Sequence, residues 1–188
     1  MFMFDIETLG IESNSVILSM ACIYFDVTKQ QNYQELVDSA FFVKLDAKDQ
    51  TERLGRTVTK STLEWWAKQD PVIRSLAMDP SNDDYVAENA IEALRIWSKQ
   101  FPNNDAATVW ARGNLDQMAI GSLENVCKVP PVFHFGRWRD VRTAVDLMTG
   151  STNGYANIPD FDDSQVLKHD PRHDCAYDIM MLMYGLRK

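Results

Sequence analysis

Positive charge is scarce in this chain. Its 188 residues carry 19 lysines and arginines against 27 aspartates and glutamates, a formal net charge of −8. That balance excludes a protein that coats nucleic acid through a basic surface. Cysteine is scarce as well. Cys22, Cys127 and Cys175 are odd in number and widely spaced, with no Cys-x-x-Cys pair, which argues against a disulfide framework and for a reducing compartment. The basic n-region of a signal peptide is missing, and Asp5 and Glu7 interrupt the only early apolar run. No apolar stretch approaches the roughly 20 residues that a membrane span requires. The expectation is a soluble, cytoplasmic protein with no membrane partner. Internal repeats, low-complexity tracts and linkers are also missing, so residues 1–188 are expected to form one domain, long enough to bury a sizeable core without disulfides or metals.

What is present is regular patterning. In Phe2-Met3-Phe4-Asp5-Ile6-Glu7-Thr8 apolar residues alternate with the rest, as a strand of period two requires. The near-continuous apolar run Val16–Phe25 predicts a central strand antiparallel to the first, and Ser39–Leu45 a third strand. Ser61-Thr62-Leu63-Glu64 has capping-box spacing and predicts a helix to about Gln69, followed by a short one over Val72–Met78. Three- and four-residue spacing predicts an amphipathic helix over Tyr85–Phe101. A short buried strand at Ala107–Ala111 leads into a helix over Asn114–Cys127, with Leu115, Met118, Ala119, Leu123 and Val126 facing inward. A strand or turn near Phe133–Phe135, a helix over Val141–Met148 and a polar loop at Gly150–Phe161 follow. A closing helix from about Arg172 to Leu186 is expected to bury Ala176, Ile179, Met180 and Met183. Strands followed by helices around a mixed sheet make the fold class α/β.

Three places carry candidate chemistry. Asp5 and Glu7 project from the same face of the first strand. Adjacent carboxylates repel each other unless something positive lies between them, and hard divalent cations take carboxylate oxygens. Asp116 follows the buried strand at the start of a helix, where ligands gather in α/β sheets, although an acid there also complements the helix dipole. The string His169-Asp170-Pro171-Arg172-His173-Asp174-Cys175-Ala176-Tyr177-Asp178 is the third. His173 and Asp178 lie about 140° apart around a helix, and a zinc site built from His169, His173 and Cys175 is disfavoured because Pro171 breaks the helical spacing. The excess of acid is compatible with carboxylates gathered around metal ions, since two bound Mg²⁺ would cancel half of it.

Asp5 and Glu7, then Asp116, then His173 with Asp178, taken in that order, resemble the DEDDh exonucleases of the ribonuclease H-like superfamily. F-D-I-E-T-L-G, V-I-L-S-M-A and T-L-E-W-W-A-K-Q are similar to the phage exonuclease A and exodeoxyribonuclease VIII branch and to related exoribonucleases. The resemblance runs from residue 2 to about 180. It implies a ribonuclease H-like α/β fold, a mixed central β-sheet flanked by α-helices, and a 3′→5′ exonuclease. Two Mg²⁺ ions, for which Mn²⁺ can substitute, would be held by Asp5, Glu7, Asp116 and Asp178, with His173 as general base in preference to Tyr177. It implies a single-stranded nucleic acid with a free 3′ end as partner, DNA favoured over RNA, contacted by Thr8 at the sugar and by Leu9 as a base wedge. Trp65 and Trp66 are candidates for stacking, with one of the pair expected in the core. A homodimer is a further expectation of the resemblance.

Overall fold

The structure is a computed structural model, and it describes residues 1–186. Five strands form one sheet in the order β3-β2-β1-β4-β5, where β1 is Phe2–Thr8, β2 Ile17–Tyr24, β3 Phe41–Lys44, β4 Val109–Ala111 and β5 Trp138–Asp140. β1 pairs antiparallel with β2, and β2 with β3, while β4 lies parallel to β1 and β5 parallel to β4. This is the mixed α/β sheet of the ribonuclease H-like class, and β1 is its middle strand.

The period-two alternation of β1 decides which helices cover which face. Phe2, Phe4 and Ile6 point to one side, where their β2 neighbours Cys22 and Met20 also lie. Helices α5 (Ala87–Ser98) and α6 (Leu115–Cys127) cover that side with Ile91, Leu94, Ile120 and Leu123. Met3, with Ala21 and Ile23 of β2, points to the other side. There α8 (Pro171–Leu186) lays Cys175, Ala176 and Ile179 across the sheet, flanked by α1 (Tyr33–Asp38) and α7 (Val141–Thr149). A third core lies beyond the β1–β2 hairpin, where Leu9, Val16 and Leu18 meet α3 (Lys60–Trp66) and α4 (Pro71–Met78). Trp66 is fully buried in it, and its Nε1 donates to the Thr8 carbonyl at 3.0 Å. Gly10 permits the hairpin's close packing, since a Cβ there would lie 2.4 Å from Ser15 Oγ and 2.8 Å from Thr59 Oγ1.

Several details depart from the sequence pattern. The capping box at Ser61–Glu64 does not form. Helix α3 begins earlier because the Thr59 N–H is tied to the Leu9 carbonyl, Thr59 takes the cap position without a side-chain bond, and Glu64 pairs with Lys60 instead. In α6 the buried stripe is Asp116, Ala119, Ile120, Leu123 and Glu124, which leaves Met118 and Val126 exposed. In α8, Met181 and Leu182 are buried while Met180 and Met183 are only half-buried, because the helix is packed by β1, β2, α1 and α7 together. Helices α1 and α2 (Ala47–Glu52), each six residues, are not predicted by the pattern: α1 buries Tyr33, Leu36 and Val37 at helical spacing but over too short a run to stand out, and α2 buries only Gln50. Among the described residues no helix is long and apolar enough to cross a membrane.

The packing makes the two ends of a scale testable. Phe4→Ala removes a fully buried ring that meets Phe133 and Trp138 edge-on, and should cost about 3–5 kcal/mol in urea unfolding. Phe135→Ala, at a ring 78% exposed, should stay within about 0.5 kcal/mol of the parent.

Candidate active site

The site forms where the parallel strands β1 and β4 end together. β4 stops at Ala111, short of the last residues of β1, so the Ile6 N–H is left without a strand partner on that side. Asp116, on the first turn of α6, fills the gap. Its Oδ1 accepts that N–H at 3.1 Å while the side chain is only 5% exposed. Asp116 is therefore fastened to the strand that carries Asp5 and Glu7, which is more than a charge at a helix end supplies. On the opposite face α8 delivers Asp174 and Asp178, one turn apart and so on one side of the helix.

Asp5, Glu7, Asp116, Asp174 and Asp178 line one cavity of about 460 Å³ at the C-terminal edge of the sheet, together with Arg112, Arg142, Lys168, His169 and Tyr177. Asp5 is the hub. Burial raises its pKa well above the usual carboxylate range, and the neighbouring Asp116, Asp174, Glu7 and Asp178 push it further the same way. Glu7 is raised likewise by burial, then by Asp174 and Asp116. Burial moves Asp116 and Asp174 up to about 7, against the lowering effect of the Ile6 N–H on one and the His169 N–H on the other. No side-chain oxygen among the described residues is both buried and unpartnered, so the carboxylate oxygens without a protein donor open on the cavity.

The C-terminal string resolves differently from its expected reading. His169 lines the cavity, with its Nδ1 3.9 Å from Glu7 Oε1 and its N–H donated to Asp174 Oδ2 at 2.9 Å. Ligand atoms of Glu7, His169 and Asp174 lie within 4.8 Å of one another. His169 adopts φ +68°, a left-handed conformation that histidine tolerates better than most side chains. Its ring meets Trp65 edge-on, centroids 4.7 Å apart. Burial lowers its pKa, helped by Lys168, so the ring is neutral at neutral pH and free to accept a proton. His173 is turned away. One residue before Asp174 on α8, it is rotated about 100° toward α1, where its Nδ1 is 2.7 Å from the Tyr33 hydroxyl. Asp178 does line the cavity, but Arg112 Nε bonds both of its oxygens, at 3.0 and 3.2 Å. The pair that faces Glu7 is thus His169 and Asp174, not His173 and Asp178. Tyr177, passed over as general base, also lines the cavity, stacked on Phe161.

Next to Glu7 lies a second, mostly apolar recess lined by Thr8, Gly10, Ile11, Thr62, Trp65 and Leu115. Thr8 is there, its hydroxyl donating to the Gly10 carbonyl at 2.6 Å. Leu9 is not, because it is 7% exposed and packed in the hairpin core. The most exposed apolar groups of this recess are Ile11 and Trp65, at 74% and 39%. The two tryptophans divide as expected, Trp66 to the core and Trp65 to the surface. Of the basic residues, Arg56 is buried against the Ser15 carbonyl and Arg53 is held by Asp49 and Glu88, whereas Arg142 and Lys168 reach the cavity.

The donor set fits hard divalent cations: oxygen ligands, several converging charges, and one imidazole. Protonation is the other way to relieve the repulsion, which fixes the sign of a pH effect. Raised carboxyl pKa values mean that the folded state holds protons that the unfolded chain has released above about pH 4. In a chelator, stability should therefore fall as pH rises from about 4 through 7. Adding Mg²⁺ or Mn²⁺ should raise Tm more at pH 8 than at pH 5. A chelated protein that gains stability between pH 5 and pH 8 would contradict the clustering.

Two likenesses to known proteins run nearly from end to end. Residues 1–185 match the family described as the 3′-5′ exoribonuclease Rv2179c-like domain. An exodeoxyribonuclease of Enterobacteria phage T4 is 30% identical over 206 residues, covering 99% of this chain and 88% of that protein. With strand, helix and cavity arranged as described, these matches put the chain in the Rv2179c-like family, and it is a 3′-5′ exonuclease.

Proposed function

We propose that the protein is a Mg²⁺-dependent 3′→5′ exonuclease that cleaves nucleoside 5′-monophosphates from single-stranded DNA, with Asp5, Glu7, Asp116 and Asp174 as the cation ligands and His169 as the general base. The observation that carries the assignment is the convergence of Glu7, His169 and Asp174 within 4.8 Å on the cavity that Asp5 and Asp116 also face. Divalent cations held by Asp5, Glu7, Asp116 and Asp174 would supply Lewis acidity to the attacking water and charge neutralisation to the leaving oxygen.

The chain's own groups account for the rest. His169, neutral and half-buried, takes the proton of the attacking water on its ring, and its orientation is held by the perpendicular ring of Trp65 and by its own backbone bond to Asp174. Arg142 and Lys168 draw in the phosphate backbone at the cavity wall. The recess beside Glu7 receives the terminal nucleotide, with the Trp65 face and Ile11 against the base. Stacking of this kind tolerates any sequence. Ile11 takes the wedge role expected of Leu9, whose side chain is enclosed. DNA is favoured because the phage exodeoxyribonuclease is alike over almost the whole chain. RNA is the second reading, supported by the family's description as exoribonucleases.

Digestion of matched 5′-labelled DNA and RNA single strands with Mg²⁺ tests this. A ladder shortening from the 3′ end on DNA is the expected outcome, and a ladder on RNA alone would establish the second reading. His169→Ala should lower kcat by about 10²–10⁴-fold, whereas His173→Ala should stay within about tenfold of the parent, because its ring bonds Tyr33. The opposite ranking would return the base to His173. Trp65→Ala should act mainly on KM, through the loss of about 1–3 kcal/mol of stacking.

A further inference from the structure

We propose that Asp178 is a masked carboxylate: Arg112 holds it out of the cation-binding set, so that of the five carboxylates that β1, α6 and α8 bring to the cavity four are left for a cation. The proposal rests on reading the cavity as a divalent-cation site. It concerns a pair that the exonuclease chemistry above does not use.

The pairing sets Asp178 apart from its neighbours. Asp116 and Asp174 each accept one backbone N–H, on Oδ1 and Oδ2 respectively, and keep the second oxygen for the cavity. Asp5 has no protein hydrogen-bond donor among the described residues. Asp178 meets a guanidinium, with Nε on both oxygens and Nη2 on Oδ1. Arg112 is committed elsewhere as well. Its Nη1 donates to the Gly154 carbonyl at 2.8 Å, and its Cζ lies 4.4 Å from the centroid of the Tyr155 ring. It therefore joins three walls of the cavity: the end of β4, helix α8 and the 150–161 loop. A guanidinium does not deprotonate in a protein, so only breaking these bonds can release Asp178.

The consequence is electrostatic. Mg²⁺ binds through few carboxylates and keeps several waters. A fifth free carboxylate would hold the cation more tightly and repel the phosphate that has to approach it. Masking one acid with a fixed cation keeps the site weak enough to be completed by substrate.

The test is titration of Mn²⁺ into the metal-free protein by calorimetry, for the parent, Arg112→Met, Asp178→Asn and the double variant, with melting in chelator to confirm folding. Arg112→Met frees one negative charge and removes one positive charge, so its Kd should fall by about tenfold or more. Asp178→Asn leaves Arg112 uncompensated and should weaken binding by a similar factor of about ten. The double variant restores the charge balance and should bind within about twofold of the parent. It also leaves neither buried charge unpaired, so it can decide the matter even if a single variant unfolds. A double variant as weak as Asp178→Asn would make Asp178 a ligand and overturn the proposal, as would weaker binding by Arg112→Met. A parent protein that takes up no Mn²⁺ would overturn the cation-site reading itself, and this inference with it.

Discussion

The mutual repulsion of carboxylates around Asp5 is the constraint on which the remaining structure depends. Left to itself, a chain would turn such groups to water, because burying ionised acids together is costly. Here the backbone allows no such escape. Asp5 and Glu7 sit on the middle strand of the sheet, alternating with Phe4 and Ile6, whose side chains are locked into the opposite core. A slip of one residue would drive the acids into that core and the phenylalanines onto the α8 side. The end of the strand is pinned by Trp66 at Thr8, and the other acids arrive on helices with their own apolar anchors. Packing contributes the stability, and the site spends some of it.

Each acid is also restrained by a different device. A strand N–H without a strand partner holds Asp116, the backbone of a left-handed histidine holds Asp174, and a guanidinium holds Asp178. Only the first two leave an oxygen without a side-chain donor, because Arg112 bonds both oxygens of Asp178. The two histidines of the C-terminal string show the same dependence on position. Burial lowers the pKa of both, so proton affinity does not distinguish them. His169 precedes the helix and faces Glu7, whereas His173 lies within the first turn and faces Tyr33. Chemistry follows from where the ring is aimed.

That distinction also explains what the sequence could convey. The period-two strand and the three-and-four spacing of α5 are local patterns, and they were legible, as was the exposure of one tryptophan of the Trp65–Trp66 pair. Asp116 was legible as a candidate because a helix following a buried strand places its first turn at the sheet edge. The histidine was not, for a specific reason: the spacing of a histidine and an aspartate five residues later occurs twice, as His169–Asp174 and as His173–Asp178. Both pairs satisfy the pattern. What separates them is the helix start at Pro171, which leaves His169 in the approach loop, and the Arg112 pairing, which comes from the residue just past β4, 66 positions away. Leu9 was misplaced for a similar reason. An apolar residue after the acids suits either a wedge or a core, and only the packing of α3 and α4 beneath the hairpin decides for the core.

A net charge of −8 looks ill-suited to a nucleic-acid enzyme until the charges are located. Six of the acids line one cavity, and the cations Arg112, Arg142 and Lys168 stand at its wall. On the proposed reading, the cavity repels a polyanion until divalent cations fill it, and four carboxylates bind those cations incompletely until phosphate oxygens join them. Cation and substrate each reduce the cost of binding the other, which is positive coupling between two ligands at adjoining sites. The acidity then acts as a condition on binding: a nucleic acid end is held where the cations are held, and the rest of a negatively charged surface does not compete for it.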